Sequence, residues 1–223
     1  MTLRVVMLGA PGVGKGTQGR RLAAAGGWPL VSTGEILREA VAQATPLGVE
    51  ARRQMDEGRL VDDRVMIALM SERLARPDTG TGFVLDGFPR TVPQAEALDA
   101  LLAERGRGID VVLYLQVSED ELVRRLRGRR ECPVCMRAYN LEGLAPRDGR
   151  HCDDHPAVEL RVRADDAEGA VRRRFAEYRA KTEPLVQYYE ARGRLRRVAG
   201  AGAADEVFDA LRREAGGVPP VTA

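Results

Sequence analysis

"GAPGVGKGT", residues Gly9 to Thr17, decides the fold of this chain. It has the Gly-x4-Gly-Lys spacing of a phosphate-binding loop, between the β-rich run "LRVVMLGA" and the helix opening "KGTQGRRLAAA". Strand, glycine turn and helix are the context such a loop requires. Glycines let successive backbone N–H groups curl around a phosphate, and the following helix offers its positive N-terminal end. Lys15 then reaches the outer phosphates as a compact cation. Gly16 stands where the common pattern has Ser or Thr, the hydroxyl that ligates Mg2+ directly in switch-type GTPases. The first hydroxyl, Thr17, comes one position late. A magnesium ion here is expected to be held mainly by phosphate oxygens and water, with Asp86 of "FVLDGFPR" as an acidic anchor.

Further candidate strands are "WPLVS" (28–32), "GFVLDGF" (82–88), "DVVLYLQV" (110–117) and "RLRRVAG" (194–200). Several are unbroken apolar runs, as expected of strands buried on both faces of a parallel sheet. Helical patterns lie between them. "SEDELVRRLRGRR" and "STGEILREAV" each place a glutamate three residues after a serine, predicting capping boxes at Ser118/Glu121 and Ser32/Glu35. "AEALDALLAER" sets Leu98, Leu101 and Leu102 at helical spacing. Strands alternating with helices predict a doubly wound α/β fold.

Composition narrows the possibilities. The 223 residues suffice for one large domain with inserts, and the net charge of +2 gives no general attraction to nucleic acid or membrane. The cations are almost all arginine, Lys15 and Lys181 being the lysines. No segment approaches the roughly 20 apolar residues that span a bilayer, and the N-terminus lacks a signal-peptide pattern. With an odd number of cysteines, this predicts a cytoplasmic protein in a reducing compartment.

The segment from about 131 to 163 breaks the alternation, reads as loop, and holds every cysteine and both histidines. "CPVC" supplies Cys132 and Cys135; "CDDH" supplies Cys152 and His155. Two pairs at this spacing, separated by a loop, fit tetrahedral Zn2+. Free cysteines or a redox pair are the alternatives, and His151 competes with His155 as a ligand.

"GAPGVGKGT", "STGEILREAV", "LDGFPRT" with Gln94, "GRR" before the CxxC, and "RADD" followed by "RRRF" together resemble adenylate kinases, over about residues 3–210. Gly16 is what nucleoside monophosphate kinases of this kind carry. The resemblance implies a parallel five-stranded sheet flanked by helices, forming a core from 1–31, 62–127 and 167–215. It also implies a helical monophosphate-binding insert at 32–61, a zinc lid at 128–166 and a frayed tail at 216–223. Both inserts are expected to move.

The implied reaction is MgATP + AMP ⇌ 2 ADP. Transfer between two polyanions is limited by charge repulsion and in-line alignment, so catalysis is positioning and electrostatics. Arginine suits this because its planar fork holds two phosphate oxygens. By the family's motifs, Lys15, Arg90, Arg129, Arg163 and Arg174 are catalytic. ATP falls to Gly12, Val13, Gly14, Lys15, Gly16, Thr17, Arg125, Arg129, Ala138, Tyr139 and Ala201. AMP falls to Thr33, Arg38, Arg59, Leu60, Val61, Gly87, Phe88, Pro89, Arg90 and Gln94, with Arg163 and Arg174 closing over the transferring group. The zinc ligands are Cys132, Cys135, Cys152 and His155, and the family implies a monomer without nucleic-acid or membrane partners. An "FNPP"-like lid stretch is missing, and Glu35 stands where many relatives have Asp. A kinase for UMP, CMP or GMP is the near alternative. A nucleotide-switched zinc module binding nucleic acid is a distant one, because the zinc segment mixes its charges.

Overall fold

The computed structural model describes residues 2–44, 46–56 and 59–216. In chain order it runs β1 (Leu3–Leu8), α1 (Lys15–Gly26), β2 (Leu30–Ser32), α2 (Thr33–Ala42), α3 (Pro46–Asp56), α4 (Asp63–Leu74), β3 (Gly82–Asp86), α5 (Val92–Ala103), β4 (Val111–Gln116) and α6 (Glu119–Gly128). Four short strands follow: β5 (Arg129–Glu131), β6 (Ala138–Asn140), β7 (His151–Cys152) and β8 (His155–Glu159). The chain then returns through α7 (Glu168–Glu177), α8 (Pro184–Glu190), β9 (Leu195–Ala199) and α9 (Ala204–Ala215). Of the tail expected at 216–223, residues 217–223 lie outside the described residues.

Five strands form one sheet in the order β2-β3-β1-β4-β9, and every pairing in it is parallel. At its centre Val5 stands between Val84 and Val111. Successive side chains of a strand point to opposite faces. In β1, Leu3, Val5 and Met7 join one core with Leu22, Leu122, Phe175 and Phe208. Val6 and Leu8 join the other, with Met70, Phe83, Leu98 and Tyr189. Helices cover both faces, so both must be apolar, and the unbroken apolar runs follow from that.

Three local readings are corrected. Strand β2 begins at Leu30, two residues later than expected: the Trp28 N–H bonds back to Ala23 O at 2.9 Å and closes α1, while Pro29 has no N–H to offer a ladder. The capping boxes are half formed. Ser32 and Ser118 accept from the Glu35 and Glu121 backbone N–H groups, but the Glu35 side chain pairs with Arg20, and that of Glu121 with Arg124 and Arg125. The segment read as loop contains two antiparallel two-stranded sheets, β5–β6 and β7–β8. Strands of two to five residues are too short for alternation to register. Cys132, Tyr139 and Cys152 form their small core.

Candidate active site and metal centre

A parallel sheet gathers ligands beyond the carboxyl ends of its strands. Here β1 leads into the glycine loop, β2 into Thr33, β3 ends at Asp86, and β9 leads to Gly200. All these groups line a cavity of about 1110 Å³, with α2, α6 and the β5–β6 hairpin supplying more of its wall. That volume lies above the roughly 300–1,000 Å³ usual for one small ligand.

Gly14 turns the chain into α1 at φ 106°, a conformation that a residue with Cβ rarely adopts. Lys15 follows, its Nζ donating to Gly9 O at 2.7 Å and Ala10 O at 3.0 Å. Burial lowers its pKa to about 8, against the pull of Asp86 and with further lowering by Arg90, Arg174 and Arg129. Gly16 has a structural reason. A Cβ there would lie 3.1 Å from Asp86 Oδ2, so a Ser or Thr would press on the carboxylate. Asp86 therefore approaches the loop closely only because position 16 has no Cβ, and a carboxylate on the cavity wall is the donor type that magnesium takes.

Across the cavity, Gly87 adopts φ 84°. A Cβ on it would come within 2.5 Å of Thr33 Oγ1 and 3.0 Å of Arg90 Nη2. The closeness is used: Thr33 Oγ1 donates to Gly87 O at 3.0 Å, and Arg90 Nε donates to the same oxygen at 2.8 Å. The Arg90 main chain is held from both sides, its N–H by Gln94 Oε1 at 2.8 Å and its carbonyl by Thr182 Oγ1 at 2.8 Å. Burial brings its pKa below the ordinary arginine value, with Asp86 and Asp165 opposing.

The remaining arginines come in acid-paired sets. Arg129 grips Asp166, whose side chain is fully buried, with two donors, and Arg174 reaches the same carboxylate at 2.9 Å and Asp165 at 3.0 Å. Arg163 pairs with Glu131, which also has Arg38 Nε at 3.7 Å and Arg161 at 4.0 Å. Burial lowers Arg163 to about 10, helped by Arg129 and Arg38. Arg125 is a brace: its guanidinium binds Glu121, Val13 O and Gly200 O while lining the cavity.

The structure thus brings to one cavity Gly12, Val13, Gly14, Lys15, Gly16, Thr17, Thr33, Arg38, Arg59, Leu60, Val61, Asp86, Gly87, Pro89, Arg90, Gln94, Arg125, Arg129, Ala138, Tyr139, Arg163 and Arg174. Two expected residues are not on its wall. Phe88 is 2% exposed and packs in the core; Ala201 lies between two glycines, Gly200 and Gly202, that do line the cavity. Sequence reasoning also missed three acids. Asp165 and Asp166 belong to "RADD", but their role as arginine partners has no local signature. Glu131, a lone glutamate beside the CxxC, is 1% exposed.

In the hairpins, Cys132, Cys135, Cys152 and His155 hold ligand atoms all within 4.8 Å of one another. Cys135 and Cys152 sulfurs are 3.6 Å apart, and His155 Nδ1 is 3.7 Å from Cys152 and 3.9 Å from Cys132. Tetrahedral zinc with bonds of about 2.0–2.3 Å needs ligand separations of this size, so the residues fit the ion. His151 is drawn away, its Nδ1 2.7 Å from Asp148. Burial pushes the Cys135 thiol up to about 11. At Cys152 burial is outweighed by hydrogen bonds from Tyr139 and His155, and the thiol falls to about 6. A coordinated cation would deprotonate both.

Fold and site together define a P-loop phosphotransferase, with one ammonium and several guanidinium groups around a cavity fit for phosphates. The chain belongs to the adenylate kinase family, whose model matches residues 7–194. Adenylate kinase of Thermodesulfovibrio yellowstonii is 48% identical over 209 residues, covering 94% of this chain and 97% of that protein. Adenylate kinase of Salinispora tropica is 48% identical over 218 residues, covering 96% and 100%. That of Gloeobacter violaceus is 46% identical over 214 residues, covering 95% and 97%. No helix among the described residues is long and apolar enough to cross a membrane.

Proposed function

We propose that this protein transfers the terminal phosphoryl group of MgATP to AMP, giving two ADP, and so balances the adenine nucleotides of the cytoplasm as a monomer. One observation carries the reading: Lys15, Arg90, Arg129, Arg163 and Arg174 converge on a single cavity that runs from the glycine loop to Gln94. The triphosphate lies in the loop, its outer phosphates on Lys15. The AMP phosphate lies against Arg38 and Arg90, and its base lies toward Thr33, the 59–61 segment and Gln94. The bond from the γ-phosphorus to its bridging oxygen breaks as one forms to an AMP phosphate oxygen. That acceptor is already anionic, so no general base is required, and neither His151 nor His155 lines the cavity. Arg129, Arg163 and Arg174 spread the charge of the moving group.

Asp86 would hold magnesium through water, and the ion would supply charge neutralisation to the phosphates. Zinc in the Cys3His set is structural, since four protein ligands leave no open position. Bound there, it would stiffen the hairpins, so that segment 128–166 would close as a unit and exclude water, together with the described part of segment 32–61. Incubating the protein with ATP, Mg2+ and each monophosphate in turn, and measuring diphosphate formed, tests the reading. AMP should be the preferred acceptor; preference for UMP, CMP or GMP would replace it, and no transfer at all would refute it. Scattering with a bisubstrate inhibitor should show compaction, and an unchanged radius would exclude closure.

A further inference from the structure

Gln94 is 2% exposed and still lines the cavity. A glutamine is by itself an ambiguous reader of bases. Its two ends are nearly the same shape, and rotating the amide by half a turn exchanges donor for acceptor. Here the two ends meet neighbours of opposite character. The backbone N–H of Arg90, which can only donate, lies 2.8 Å from Oε1. An Asp63 carboxylate oxygen, which accepts when ionised, lies 2.7 Å from Nε2. The other Asp63 oxygen accepts from Thr91 Oγ1 at 2.7 Å, and Thr91 caps α5, the helix that carries Gln94. Asp63 does not line the cavity.

We propose that Asp63 is a positioning residue that locks the Gln94 amide in one orientation and thereby sets the base preference of the acceptor site. This rests on the reading above that Gln94 faces the base of the monophosphate. In the locked state Gln94 has one N–H and one oxygen lone pair left for a ligand, in a fixed order. An adenine edge, with a ring nitrogen acceptor beside an amino donor, matches that order. A 6-oxopurine presents a ring N–H and an oxygen at the same positions, which is the reverse. To serve it, the amide must flip, turning its oxygen toward the Asp63 carboxylate and its NH2 toward the Arg90 N–H. Both buried hydrogen bonds are then lost, one of them to a charged group. Rejection by mismatched buried polar groups is far stronger than rejection by shape.

IMP is the probe, because it departs from AMP only at the 6-position and the adjoining ring nitrogen. Asp63→Asn keeps the size and the contact to Thr91 but can present either pole to Gln94, so it removes the charged half of the lock and leaves only the Arg90 N–H to favour one orientation. The kcat/KM ratio of IMP to AMP should rise by roughly tenfold or more in D63N. In a Gln94→Leu background the same substitution should leave the ratio unmoved, since there is no amide to orient. An unchanged ratio in folded D63N overturns the proposal, as does an equal rise in the Q94L background, which would mark a general loosening. Should D63N fail to fold, hydrogen exchange of the Gln94 side-chain amide in the wild-type protein decides. Strong protection is expected, and exchange as fast as an exposed glutamine overturns the lock. Failure of the proposed reaction would look different: the wild-type protein would turn over neither AMP nor IMP.

Discussion

Lys15 should take up a proton when the triphosphate binds. In the free protein its pKa is about 8, so at pH 8 about half of the molecules carry a neutral amine. Phosphate oxygens beside Nζ restore the charge by raising the pKa well above this range. Binding should then take up about 0.1 proton per site at pH 7, about 0.5 at pH 8 and about 0.9 at pH 9. The same linkage lowers apparent ATP affinity by about tenfold between pH 7 and pH 9. Calorimetric titration at each pH, in two buffers of different ionisation enthalpy, measures the uptake directly. At pH 8 and above ATP itself is fully ionised and adds nothing. Lys15→Gln should bind more weakly and show no uptake. A wild-type protein without uptake at pH 8–9, or a K15Q variant with the same uptake, would refute the reasoning. The free protein carries the counterpart. Lys15 goes from its ordinary 10.5 to about 8 on folding, so between these pH values the unfolded chain binds more protons. The stability of the free protein therefore gains a contribution as pH rises through that window.

Arg90→Ala should lower kcat by about 10²–10³ or more without loss of the fold, read from turnover and a thermal melt; Arg90→Lys should rescue little, because an ammonium cannot bind Gly87 O and two phosphate oxygens as a planar fork does. A near-wild-type rate in R90A would remove Arg90 from the site. Purified protein should hold one zinc per chain, and chelation or Cys132→Ser should lower the unfolding temperature; metal content well below one equivalent, with melting insensitive to chelator, would contradict the structural site. Glu131→Gln leaves Arg163, Arg38 and Arg161 without their shared anion and should destabilise the free protein by roughly 2–5 kcal/mol. A bisubstrate inhibitor should recover much of that loss, since its phosphates supply the missing charge, and equal thermal shifts in E131Q and wild type would count against it.

What was legible in the sequence was what the chain specifies locally. The glycine loop, the apolar strand runs and the two cysteine pairs are each contained in a few neighbouring residues, and each is in place. Several of the missed contacts act across long stretches of chain. Asp63 meets Gln94 from 31 residues away, and Asp166 meets Arg129 from 37. Nothing near either acid distinguishes it from a solvated carboxylate, so only tertiary placement makes it a partner. The hairpins were missed for the opposite reason. Their core is three residues, Cys132, Tyr139 and Cys152, too small to impose an apolar period on the strands around it. Arg125 shows the same limit from another side. It was expected among the ATP contacts, but no local pattern says that its donors are taken by Val13 O, Gly200 O and Glu121.

The acids explain how such a cationic cavity persists without nucleotide. Guanidinium groups crowded together repel, and their lowered pKa values at Arg90, Arg163 and Arg174 record the burial and the crowding. Asp166 and Glu131 neutralise part of that charge from behind, both almost without exposure. They also fix geometry. Arg129 gives Nε and Nη2 to Asp166, and Arg90 gives Nε to Gly87 O, so each fork is anchored along one edge while the residue lines the cavity. The reorganisation that binding or reaction would otherwise require is done when the chain folds. A lysine could not serve both masters, because its three donors rotate about a single atom and define no opposing edges. Lysine therefore appears in the cavity only at position 15, where the loop's backbone sets the direction and a compact charge is enough.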